Sequence, residues 1–149
     1  MTDDQFTVEL KAGNAMVRAG DRAGGRAHLE ALWARAAEDP FRQCVAAHHL
    51  ADAQDDLSDE LAWDLRALDA ALRCIEADIP TGQSIAAFMP SLHVSLAQDY
   101  ARLRQFAQAR EHLAAGRDFA VHLPDDAYGQ QIRAAIVHLA GRLDELPLD

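Results

Sequence analysis

Between Leu61 and Ile75 the leucines and the isoleucine fall at 61, 65, 68, 72 and 75, alternating steps of four and three that only an α-helix gathers onto one side. A strand needs the opposite pattern, a period of two rich in β-branched side chains, and no segment of the 149 residues sustains it. Alanine, the strongest helix former, supplies about a fifth of the chain, while aromatics are 6%. The expectation is an all-α fold of about seven helices in antiparallel hairpins, packed closely on small side chains.

Local punctuation divides the chain. A first helix is predicted over about 4–19, closed by Gly20-Asp21, and a second over about 22–38, with Leu29, Leu32 and Trp33 on one face. Pro40 fits the first turn of a third helix, which should fail near Asp55-Asp56. Ser58 is the expected N-cap of the fourth helix, whose leucine stripe should pack while Asp64, Arg66, Asp69 and Arg73 face water. The run IPTG at 79–82 is the strongest internal break. Pro90 then predicts a kink or a fresh helix start inside the segment that continues to about Leu103. Further helices follow over about 106–121 and 127–143. The hairpins thus span about 4–38, 40–76 and 83–121, with a capping helix at about 127–143, all in a single domain of ordinary size.

Charge narrows the function. The formal net charge of −10 disfavours nucleic acid and anionic membranes, because phosphate must be neutralised by Lys and Arg. Thirteen of the fourteen basic residues are Arg, which reads as coding bias. No apolar run reaches the ~20 residues of a membrane span, the acidic start MTDDQF does not resemble a leader, and the expected location is cytoplasmic. Cys44 and Cys74 form no CxxC pair, so neither a disulfide framework nor a Cys-rich zinc module is implied; both read as reduced, buried thiols. A Gly-rich phosphate loop, GxSxG and HExxH are all absent, so the chain reads as non-catalytic with no cofactor.

Chemistry concentrates in CVAAHHLADAQDD, Cys44 to Asp56, which holds a thiol, two adjacent imidazoles and the carboxylates of Asp52, Asp55 and Asp56. Cys44, His48 and Asp52 lie four residues apart, so they share one stripe of a helix. With His93 they form the alternative reading, a ligand-sensing or metal-dependent catalytic domain, since a cation needs three or four such donors at about 2.0–2.3 Å. Against it, His48 and His49 point about 100° apart and cannot chelate through one face. His93 reads more readily as a core histidine, and Trp33 and Trp63 as packing residues. His28, His112, His122 and His138 share no motif.

The segment SLHVSLAQDYARLRQFAQAREHLAAG resembles a tetratricopeptide repeat. Leu96-Ala97, Tyr100, Phe106, Ala109, Leu113 and Gly116 stand where that family keeps its first-helix pair, aromatics and interlocking residues; His93 and Arg104 depart from it. Weaker copies surround Gly13, Gly20, Gly25 and Leu29, and again Leu50-Ala51 with Leu61, Leu65 and Leu68. The resemblance implies stacked hairpins, because one such hairpin cannot bury its own apolar face. It implies further that the first helices line a concave groove binding a protein or peptide. In that register His48, His49, Asp52, Asp55 and Asp56 face the groove, as do Ser91, Val94, Ser95, Gln98 and Arg102, with His93 beside them. The groove is then acidic, a basic partner is expected, and affinity should fall as the histidines protonate near ~6.5. A weaker cap on the first helix predicts a weak homodimer through the N-terminal hairpin.

Overall fold

Helix starts in this chain are set by short polar side chains that satisfy otherwise unpaired N–H groups. In the computed structural model, which describes residues 1–78 and 85–146, Thr2 and Gln5 form a capping box at the head of α1 (Asp3–Arg18). Asp21 caps α2 (Arg22–Arg35), and Asp39 caps α3 (Pro40–Asp52), with Pro40 at its first position. Asp56 accepts from the N–H groups of both Ser58 and Asp59 to start α4 (Leu57–Glu76). Ser58, the expected cap, therefore lies inside the helix, because the longer carboxylate two residues earlier reaches both donors. α5 (Ile85–Arg102) precedes α6 (Phe106–Phe119), a 3-10 turn (Ala120–His122) and α7 (Ala127–Asp144), which Asp126 caps.

All seven described helices pack mainly on their sequence neighbours. Two compact units result, Met1–Ile79 and Pro80–Asp149. In the first, α1 pairs with α2 and α3 with α4, α2 lies on α3, and α1 touches α3. In the second, α5 pairs with α6, and α7 packs against both. The IPTG break falls at residues 79–82, outside the described residues. Pro90 lies within α5, which runs unbroken, so neither a second helix nor a fresh start occurs there. No described helix is long and apolar enough to cross a membrane.

Leu29, Leu32 and Leu50 are wholly buried in the first unit, at about 1.5–3 kcal/mol each for removal from water. Glycine lets α1 and α2 approach: a Cβ on Gly13 would lie 2.7 Å from Leu29, and one on Gly25 would lie 2.4 Å from Val17. The α3–α4 pair departs from expectation. Its α4 face is Asp64, Ala67, Ala70, Ala71 and Cys74, packed on an α3 that presents Cys44, Ala47 and Ala51, while Ala46 turns to Phe6 and Leu32. Leu65, Leu72 and Ile75 stay 40%, 48% and 45% exposed, and Asp64, expected in water, is buried. In the second unit Phe106, Ala109 and Leu113 join Val94, Ala97, Ile136, Leu139 and Leu143 in one core.

Candidate functional site

α3 carries the cluster that the sequence singles out, and its helical geometry separates the members. The side chain of His48 turns toward α4, where its Nδ1 lies 3.8 Å from the buried Asp64 carboxylate. His49, one residue and about 100° further round, turns toward α1 and its Nδ1 lies 3.2 Å from the Asn14 amide nitrogen. Their rings meet edge-on at 5.8 Å. Cys44 faces the core; burial first, then the neighbouring Cys74 thiol, pushes it up to about 12. That thiol stays protonated at neutral pH, a poor nucleophile and a poor metal ligand. Asp52 is exposed at the last turn of the helix. The stripe Cys44, His48, Asp52 thus runs from core to solvent.

Two of the acids have structural work. The Asp55 carboxylate is held by Arg22 Nε at 2.7 Å and Arg26 Nη1 at 2.9 Å, and those bonds keep it below the ordinary carboxylate range. The same two guanidiniums donate to the carbonyls of Asp52, Ala53 and Gln54, closing the C-terminal end of α3, where cations are favoured. Asp56 is the α4 cap. Of the three aspartates expected to make the face acidic, Asp55 is therefore already balanced by arginine and Asp56 is taken up by the α4 cap.

Between α1 and α3 lies a cleft of about 230 Å³ lined by Asn14, Val17, Arg18, His49, Asp52 and Ala53. Drug-sized ligands occupy roughly 300–1,000 Å³, so this volume suits one or two side chains of a larger partner. Val17 and Ala53 give it an apolar floor, Asn14 an amide, Arg18 a guanidinium and Asp52 a carboxylate. Among the described residues Arg18 makes no ion pair. Burial, aided by His48, lowers His49 to about 4, so the imidazole is neutral through the whole range in which the sequence leads one to expect it to charge.

The other expected site residues belong to the second unit. His93 is buried against His112 of α6. Ser91 and Val94, expected at the surface, are buried as well, Ser91 hydrogen-bonded to the Tyr128 hydroxyl and Val94 in the core. α5 continues through Pro90 onto a fully packed face, which is why these positions turn inward. Gln98 is exposed, and Arg102 donates to the buried Asp99 carboxylate at 2.7 Å. Sequence reasoning passed over Asn14 and Arg18, although their spacing of four on α1 placed them on one face.

Compared with protein-family models, curated proteins and solved structures, the chain gives no match. The fold and the site define an all-α protein of sequentially packed helical hairpins, with a small polar cleft on the first two.

Proposed function

We propose that the chain is a non-catalytic, tetratricopeptide-like interaction module and that the cleft between α1 and α3 receives a short polar segment of a partner protein. The observation that carries this is the cleft itself, formed by the first helices of two successive hairpins and edged by Arg18 and Asp52 on opposite walls. The hairpin pattern supports the repeat reading, as do the buried positions of Leu96, Ala97, Phe106, Ala109 and Leu113 in the best repeat. Opposed charges favour a segment carrying a cation for Asp52 and a carboxylate or carbonyl for Arg18 and Asn14. The Asp52 edge retains the preference for a basic residue, and neutral His49 supplies a hydrogen bond without adding charge.

Short fluorescent peptides, one basic, one acidic and one bearing both charges, test the proposal by polarisation against the wild type, Asp52→Asn and Arg18→Gln. Asp52→Asn should weaken the basic and mixed peptides, and Arg18→Gln the acidic and mixed ones, each about 3–30-fold, the range of an exposed to half-buried charged contact. Amide exchange should show new protection in α1 and α3. Binding that neither variant alters, or protection confined to other helices, would refute the assignment.

A further inference from the structure

The second helices of the first two hairpins carry a pocket of their own. It has a volume of about 290 Å³, lies between α2 and α4, and is lined by Trp33, Leu65, Arg66, Asp69 and Arg73. Leu65, Asp69 and Arg73 are four residues apart along α4, so they share one side of that helix. Trp33 meets Trp63 edge-on, with 5.2 Å between ring centroids, which ties the pocket wall to both helices. Trp33 is only partly buried and Leu65 is 40% exposed, so the apolar lining is open to a ligand. The polar lining has a sign. Arg66 sits over the Trp63 ring, 4.2 Å from its centroid, and among the described residues it makes no ion pair. Arg73 binds Asp69 through Nε at 3.1 Å and donates from Nη2 to Gln43 Oε1 at 3.3 Å, which leaves Nη1 for another acceptor. Two guanidiniums against a single carboxylate give this pocket a net positive charge on a chain whose formal charge is −10.

We infer that this pocket is a second docking surface, which receives a short acidic segment of a partner protein with a leucine or phenylalanine beside its carboxylates. The apolar side chain covers Trp33 and Leu65, and the carboxylates pair with Arg66 and Arg73. Charge decides the occupant. A basic segment would meet two cations, and a second copy docked by the same face would set arginine against arginine, since a two-fold contact is made by one patch on both partners. The cations are also positioned in advance. Arg66 is held over Trp63, and Arg73 is tied by Asp69 and Gln43, so ordering them on binding costs little side-chain freedom. Tryptophan and arginine are the residue types that carry most of the energy at protein interfaces. This surface shares no lining residue with the α1–α3 cleft and takes the opposite charge from the one Asp52 attracts there.

Trp33 and Trp63 are the chain's two tryptophans and both stand at this site, so intrinsic fluorescence reports its occupancy. The probe is an end-capped, tryptophan-free peptide with glutamates flanking a leucine; one control peptide replaces the glutamates with glutamine, another the leucine with alanine. The acidic peptide should change the wild-type fluorescence saturably. The glutamine peptide should bind about 5–25-fold more weakly, each exposed ion pair being worth about 2–5-fold, and the alanine peptide about 10-fold more weakly. Arg66→Gln should weaken the acidic peptide about 2–5-fold and the double variant Arg66→Gln, Arg73→Gln about 5–25-fold. Arg117→Gln, at an exposed arginine of α6, should leave the titration unchanged. Amide exchange should show new protection in α2 and α4. No saturable change, equal affinity for the glutamine peptide, full binding by the double variant, or protection in α1 and α3 instead would overturn the inference. So would a dimer, seen by light scattering, that the double variant abolishes, because the face would then belong to a second copy.

Discussion

Substituting alanine for glycine should have opposite effects at two helical positions of this chain, because the space around the new methyl group differs. At Gly25 in α2 an added Cβ would stand 2.4 Å from Val17 Cγ2, 3.0 Å from the Gly13 carbonyl oxygen and 3.1 Å from the Val17 nitrogen. Valine is stiff about χ1 and the other two atoms are backbone, so α1 itself must shift. Overpacking of this kind costs about 1–3 kcal/mol, against which alanine returns up to ~1 kcal/mol of helix propensity. The net loss is up to about 2 kcal/mol, at some 4–8 °C of melting temperature per kcal/mol for a unit of this size. At Gly141 in α7 no atom lies within 4 Å of the added Cβ, and alanine should stabilise by about 0.8–1 kcal/mol. Trp33 and Trp63 are the chain's two tryptophans and both belong to the first unit, so urea unfolding followed by tryptophan fluorescence reads Gly25→Ala there. Amide exchange in α7 reads Gly141→Ala. A Gly25→Ala midpoint equal to or above the wild type would show that the two helices do not approach as closely as described.

The capping assignment has its own test. Asp56→Ala should lower stability by about 1 kcal/mol, whereas Ser58→Ala should change it by no more than a few tenths, as comparison of their urea midpoints will show. Stability of the first unit should fall as pH drops from about 6.5 toward 4, because His49 is held neutral in the fold but protonates in the unfolded chain, which then binds the extra proton. Its share of the slope is at most ~1.4 kcal/mol per pH unit, and His49→Gln should flatten the profile between pH 6.5 and 5; identical slopes for the two proteins would refute the desolvation of that ring.

What was legible in the sequence is what depends on near neighbours along the chain. Pro40, Gly20-Asp21 and Asp55-Asp56 marked helix ends, because a cap acts within three residues, although the α4 cap was expected at Ser58 and is Asp56. Contacts that act across elements left weaker traces. The arginines look like compositional bias when only counted, yet Arg22 and Arg26 close the end of α3, while Arg110 donates to the carbonyls of Leu143 in α7's last turn and Leu146 just beyond it. Nothing local distinguishes such an arginine from a solvated one. The His93–His112 pair was hidden for the same reason: the rings are nineteen residues apart on different helices, and only the antiparallel pairing of α5 and α6 interleaves them.

α4 shows where periodicity itself runs out. Its sequence holds two stripes of equal regularity: Leu61, Leu65, Leu68, Leu72 and Ile75, and Asp64, Ala67, Ala71 and Cys74 with Ala70. Area alone favours the leucines, since each leucine buried is worth about 1.5–3 kcal/mol and each alanine much less. The alanine stripe wins the α3 contact because α3 offers Ala47 and Ala51 beside Cys44, and two small-residue faces let the backbones close to a distance that leucines would hold apart. Close approach brings many weak dispersion contacts together, and those depend on both surfaces at once. The spacing of apolar residues along α4 describes only one of those surfaces. The choice between the two stripes was therefore written in the partner helix, which is also why Asp64 could be drawn inside: it travels with the alanines and meets His48 from the facing helix.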